Sequence, residues 1–320
     1  MSPRALIPVP VLLAVLAGLA APAAAAVEKA PGVGLDASSL PLAAPGGEVS
    51  YLARGGKRAT RLLETARVGG PARRELRIPG RFALPAVAYD GLPTGLSADG
   101  RTLILVNPRR RFPRASTTLA VVDPRRMRLR RQIRLSGDFS FDAISPDGRL
   151  LYLIQYLSRQ DITDYAVRAF DMRAGRMFRQ RVVDPSEPDE DMSGEPLSRV
   201  MDASGRWAYT LYASEEHPFV HALDTARRTA VCIDLDIHGG DTLAMRGDRL
   251  DVLGGDQVLA SIDTSTHRVF RRPAERPAQR RRAPEETAGF PWLLIVGPTA
   301  ALTLLAALGR RRSATRSATR

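Results

Sequence analysis

Residues 140–156 read SFDAISPDGRLLYLIQY, two apolar runs separated by Ser145-Pro146-Asp147-Gly148. Proline pre-sets φ at the second position of a type I turn, and glycine is favoured at the fourth. Phe141, Ala143 and Ile144 precede the turn, and Leu150, Leu151, Tyr152, Leu153 and Ile154 follow it. Short apolar flanks with aromatic and branched residues predict strands, so the stretch predicts a β-hairpin.

Milder copies recur along the chain. PTGLSADGRTLILV carries Gly100, SRVMDASGRWAYTLY carries Gly205, and the degraded DTLAMRGDRLDVLG carries Gly247; with Gly148 they are 48, 57 and 42 residues apart. A second phrase follows each hairpin, with a few apolar residues, an aspartate, a polar turn and another strand-like run. Its aspartates are Asp123, Asp171, Asp224 and Asp263, and Glu64 takes the equivalent place in a fainter first copy. Recurrence once per repeat predicts that these carboxylates cap turns between strands, in place of forming catalytic pairs. Two hairpin phrases per repeat mean four strands, and four strands in about 40–50 residues are the mark of a propeller blade.

ISPDGRLLYLIQ followed by VRAFDMRAGRM resembles the YVTN and WD40-like repeats of bacterial β-propellers, over residues 47–272. That resemblance implies an all-β propeller and little about activity, because the family spans enzymes, binding modules and scaffolds. The expectation is five four-stranded blades. The alternative is a sixth, hidden in residues 27–46 plus the insert near 184–195. Pairing of an N-terminal strand with the last blade would close the ring and leave no exposed sheet edge.

The termini predict a membrane address. Residues 1–26 have one arginine, an apolar run and small residues around Ala24–Ala26, the pattern of a secretory signal peptide; an uncleaved anchor is the competing reading. A lead segment (27–46) precedes the propeller, and a Pro/Arg-rich stalk (273–289) follows it. Phe290 to Leu308 is free of charge and long enough to span a bilayer as a helix. Arg310, Arg311 and Arg312 open the basic tail (309–320), so the positive-inside rule puts the tail in the cytoplasm and the propeller outside. The upstream APEETAG does not match a Leu-Pro-x-Thr-Gly sorting signal.

The net charge of +13 divides unevenly. Much of the excess flanks the expected membrane segment. Within the propeller, residues 51–135 hold twenty basic and five acidic side chains, and residues 136–270 hold fourteen basic and twenty-three acidic ones. A cationic arc predicts an anionic partner, either an envelope polymer or an acidic protein; an extracytoplasmic address makes nucleic acid an unexpected one. The densest patch is NPRRRFPR, whose Arg109, Arg110, Arg111 and Arg114 are the expected ligand-binding residues, since guanidinium forks suit phosphate and carboxylate. The bland alternative is solvated surface.

Other chemistry is faint. Asp184, Glu187, Asp189, Glu190, Asp191 and Glu195 form an acidic insert whose spacing does not match an EF-hand, so calcium is the lesser reading beside an extended surface loop. His217 and His221 are four apart, which separates them along a strand. Cys232 has no partner for an intramolecular disulfide. Around Ser97, GLSADG lacks the second glycine of a nucleophile elbow. No catalytic residue, metal or cofactor is expected. The leading expectation is a membrane-anchored binding or scaffolding propeller, and the alternative is a lactonase or glycan-active hydrolase working in the central channel.

Overall fold

The computed structural model describes residues 37–160, 164–188, 194–214 and 217–271. The expected signal peptide, stalk, transmembrane helix and tail lie outside the described residues, among which no helix is long and apolar enough to cross a membrane. Five antiparallel sheets follow one another in chain order. Blade 1 holds β1 (Leu42–Ala43), β2 (Ser50–Gly55), β3 (Ala59–Thr65) and β4 (Ala72–Pro79), and blade 2 holds β5 (Leu103–Val106), β6 (Ser116–Asp123) and β7 (Arg128–Ser136). Blade 3 holds β8 (Phe139–Ile144), β9 (Leu150–Tyr156), β10 (Tyr165–Asp171) and β11 (Arg176–Arg181). Blade 4 holds β12 (Glu195–Met201), β13 (Trp207–Ala213), β14 (Phe219–Asp224) and β15 (Thr229–Asp234). Blade 5 holds β16 (Thr242–Arg246), β17 (Arg249–Gly254), β18 (Gln257–Asp263) and β19 (Val269–Arg271).

The hairpin phrase closes as its residues require. The Leu150 amide donates to Ser145 Oγ (2.9 Å), the Arg149 amide donates to Asp147 Oδ1 (3.0 Å), and Ser145 Oγ donates to the same carboxylate oxygen (2.8 Å). Ser97, Asp99, Arg101 and Thr102 repeat these three bonds. In the third copy the roles are exchanged, with Asp202 accepting from the Trp207 amide and from Ser204 Oγ. Gly148 takes φ of 70°, and a Cβ there would lie 2.5 Å from Thr102 Oγ1 of the neighbouring blade, so the glycine serves both turn and packing. The second phrase is equally local. Asp171 Oδ1 accepts from the Arg173 and Ala174 amides, Asp224 Oδ1 from Ala226 and Arg227, and Asp263 Oδ1 from Ser265 and Thr266. Glu64 departs from the pattern: it is buried and paired with Arg74 of β4.

Middle strands read as continuous apolar runs because blades stack on both of their faces. Leu62 and Ile78 of blade 1 pack with Leu105 and Val122 of blade 2, and Leu119 and Val121 of blade 2 with Phe141 and Leu153 of blade 3. Tyr152 and Val167 of blade 3 meet Ala208 and Leu223 of blade 4, whose Leu211 and Val220 meet Leu250 and Ile262 of blade 5. Each fully buried aliphatic of this kind stabilises by about 1.5–3 kcal/mol relative to exposure. Among the described residues no such cluster joins blade 5 to blade 1.

Three expectations change. The propeller begins at Leu42, ahead of residue 47, because Gly46 (φ 86°) and Gly47 (φ 72°) turn the chain so that Leu42 pairs with Tyr51. Among the described residues no N-terminal strand joins the last blade; β1 pairs with β2, and every sheet is built from consecutive strands. Blade 2 has three strands in place of four. Its inner position is filled by isolated bridges, Ala83 to Val106 and Leu96 to Leu103, because Pro85 and Pro93 interrupt the segment and lack the amide a ladder needs. Residues 86–92 loop away to the inner edge of blade 4, where the Tyr89 and Asp90 amides donate to the Pro196 and Leu197 carbonyls (2.8 and 3.1 Å). A bulge between Pro196 and Ser198 presents that edge.

The chain direction sorts the connections. The repeated Asp-Gly and aspartate turns lie at one end of the blades, the turn end. Among the described residues, 56–58, 80–82, 107–115, 157–160, 182–188, 217–218, 235–241 and 255–256 lie with Asp164 at the other, the loop end.

Candidate functional site

The NPRRRFPR loop folds back on its own scaffold. Arg109 donates from Nη2 to Asp138 Oδ1 (2.7 Å) and to Ser140 Oγ (2.9 Å), with its side chain 5% exposed. Its guanidinium also lies over the Tyr156 ring, 4.9 Å from the centroid. Phe112 meets the same tyrosine edge-on at 5.3 Å. Arg114 Nε donates to Asp138 (3.1 Å), and its Nη1 donates to the Asn107 carbonyl (2.5 Å). Only Arg110 and Arg111 of the four are exposed. The expected patch is therefore split into two internal anchors and two surface cations. Asp138, which the sequence reading passed over, is the acceptor that divides them. An aspartate between a turn glycine and an apolar strand was the available signal.

A second internal constellation lies where blades 3 and 4 meet. A bulge between Phe141 and Ala143 leaves Asp142 out of the ladder and turns its carboxylate toward blade 4. Arg199 of β12 donates from Nη1 to Asp142 Oδ1 (2.7 Å) and to Thr210 Oγ1 (2.8 Å), and from Nη2 to the Asp142 carbonyl (3.0 Å). Both partners are buried, at 7% and 6% side-chain exposure. Thr210 lies directly across the ladder from His221. Burial pulls the His221 imidazole down to about 4 against the opposing pull of Asp142, so it is neutral at ordinary pH. Burial also pushes the Tyr165 and Tyr212 phenols up. Such a set holds two sheets in one register; its charges are already matched to one another. The Tyr89 and Asp90 backbone lies on the inner edge of blade 4, and Asp90 Oδ2 accepts from the Arg199 amide (2.9 Å).

One set of cations that remain available is on the perimeter. The outermost strands of blades 1–3 carry Arg73 and Arg77 on β4, Arg128 and Arg134 on β7, and Arg176, Arg179 and Arg181 on β11, all exposed. Among the described residues none of the seven makes a side-chain ion pair or hydrogen bond, although other arginines nearby do: Arg61 pairs with Glu75, and Arg130 with Asp123. The three edges are continuous around the rim. Gln132 of β7 donates to the Pro79 carbonyl of β4, and Arg131 donates to the Met172 carbonyl at the foot of β11. Charge on an edge strand blocks unwanted strand pairing, which accounts for one or two arginines per edge. Blade 4 is protected differently, since its Ala230 and Cys232 amides donate to the Val183 carbonyl and to Asp184 Oδ2.

The acidic insert thus begins with a structural residue: Asp184 also accepts from the Ser186 amide and hydroxyl. Asp189, Glu190 and Asp191 lie outside the described residues, among which no group of three or more His, Cys, Asp or Glu is placed to hold a metal ion. His217 meets Asp234 at 3.1 Å, and Cys232 is half-buried on β15. A groove of about 630 Å³ at the turn end is walled by Asp147, Arg149, Asp171, Arg173 and Thr225. Its carboxylates are engaged in their own turns.

The protein is a β-propeller whose repeats resemble WD40-like repeats. No protein-family model matches the sequence. No curated protein matches it either. Among solved structures it is similar to hydrazine synthase from Kuenenia stuttgartiensis (16% identity, TM-score 0.45, covering 75% of this chain and 67% of that one). It is also similar to the Cps50 (Swd1) β-propeller domain of Myceliophteria thermophila (14%, 0.43, 76% and 68%) and to a putative TolB from Agrobacterium tumefaciens (14%, 0.41, 73% and 79%).

Proposed function

We propose that this chain is a binding module for a linear anionic polymer of the cell envelope, held outside the membrane by a single span over Phe290 to Leu308. The grip is the arginine perimeter of blades 1–3; Arg110 and Arg111 lie at the loop end, outside it. The observation that carries the reading is the set of seven exposed arginines on three consecutive edges that make no side-chain ion pair or hydrogen bond among the described residues. Guanidinium pairs best with phosphate and carboxylate through parallel hydrogen bonds, and a row of them suits a repeating anion better than a compact one. The signal-peptide pattern, the uncharged segment and the arginines after it support the extracytoplasmic address.

The test is binding of the full chain to inorganic polyphosphate across a salt series, beside a variant with Arg128, Arg134, Arg176 and Arg179 changed to alanine. The expected result is salt-sensitive binding, at least tenfold weaker in the variant and little changed when Arg110 and Arg111 are replaced. Equal binding by wild type and perimeter variant would overturn the assignment, as would salt-insensitive binding.

A further inference from the structure

The loop end is electrically divided, and the division is self-complementary. On blades 1–3 it exposes Lys57, Arg58, Arg81, Arg110, Arg111 and Arg159, with Asp164 the one exposed carboxylate among the described residues of those connections. None of the six cations makes a side-chain ion pair or hydrogen bond among the described residues. On blades 4 and 5 the same end exposes Glu187, Asp234, Asp236, Asp241 and Asp256. Arg271 offsets one of these through its contact with Asp236 (2.5 Å). The anchoring of Arg109 and Arg114 to Asp138 fixes the loop that carries Arg110 and Arg111, so the basic half is built and not merely composed of tails.

From this layout we infer that the loop end is a docking surface for a second copy of this chain. Two copies placed face to face about a two-fold axis along the boundary between the halves set each basic half against the partner's acidic half. This is an isologous contact, in which one charge pattern satisfies both sides at once. Exposed charges contribute little pair by pair, so the contact is weak, steered by the summed fields and sensitive to salt. It is separate from the perimeter, and it stands or falls independently of polymer binding.

The experiment is co-capture of two differently tagged full-length chains, at low and high salt. Screening shortens from about 30 Å at 0.01 M to about 3 Å at 1 M. One variant carries Arg81→Glu, Arg110→Glu and Arg111→Glu; another carries Glu187→Arg, Asp241→Arg and Asp256→Arg. All six positions are exposed, and matching melting curves confirm that each variant folds. The expected result is wild-type self-capture that falls at least tenfold at high salt. Each variant captures itself at least tenfold less than wild type does, and the two variants capture each other. Failure of the mixed pair, undiminished self-capture by either variant, or a wild type that does not self-associate at low salt would each overturn the inference. So would association that is lost only when the perimeter arginines are replaced.

Discussion

Blade 3 meets its two neighbours through different chemistry. Toward blade 2 it presents Phe141, Ile144, Leu153 and Phe170 to Leu119 and Val121, an apolar seam with Arg109 and Arg114 set on Asp138 at its loop end. Toward blade 4 the seam is apolar only in part, around Ala143, Tyr152 and Val167; the rest holds Asp142, Arg199, Thr210 and His221. The perimeter changes at the same boundary. Blades 1–3 guard their edges with arginine, and blade 4 uses the Val183–Asp184 backbone and carboxylate. An apolar seam is tolerant of small shifts in register. A bulged aspartate that must find one guanidinium is not, and this fixes how blade 4 sits against blade 3.

Breaking that ion pair is expected to have the largest effect. Arg199→Met leaves Asp142 charged and buried, and chemical denaturation should show a loss of about 3–5 kcal/mol. Adding Asp142→Leu should recover most of it, since the remaining cost of a buried pair is desolvation. No recovery would mean that Arg199 acts through Thr210 and the Asp142 carbonyl. In the blade 2–3 seam, Leu119→Ala should lose about 2–5 kcal/mol with no rescuing partner, because the cost there is burial and a cavity.

The pH dependence sharpens the contrast. His221 has a folded value lowered to about 4 against 6.5 for the free side chain, so the unfolded state binds the extra proton between these values. Stability is therefore fully present above about pH 6.5 and is lost as pH falls toward 4, by up to about 3 kcal/mol. His221→Gln should flatten that part of the curve. His267, also lowered by burial, leaves a residual slope. Asp263, held down at about 2 by hydrogen bonds from Ser265 and Thr266, gives up its contribution only below about pH 4.

Smaller effects follow at turns and edges. Gly148→Ala combines a positive φ with a 2.5 Å approach to Thr102, and thermal unfolding should report about 1–3 kcal/mol. Asp184→Ala removes the acceptor for the Cys232 amide and should cost about 1 kcal/mol, with faster exchange at that amide as the direct readout.

The blades were legible because their turns are written locally. Serine, aspartate and glycine within five residues specify the hairpin locks of blades 2, 3 and 4, and the recurring aspartates cap the turns assigned to them. The internal site was not legible. Arg109, Arg114 and Asp138 are joined across 24–29 residues of chain, and Arg199 reaches Asp142 across 57. Such pairings depend on how blades stack and on a bulge of one residue, and no repeat period carries that information. The same holds for the loop expected to be a cationic grip, whose arginines look alike in the sequence and differ by which of them reach Asp138. Blade 2 shows the converse, since Pro85 and Pro93 announced a broken inner strand that the repeat pattern had overridden.

The most direct test of the perimeter as a binding surface is backbone hydrogen exchange of the full chain with and without inorganic polyphosphate. The account predicts slowed exchange along β4, β7 and β11, with no change along β15, whose Ala230 and Cys232 amides are already bonded. Protection confined to residues 107–115 or to the turn end, with the three arginine edges unchanged, would contradict it.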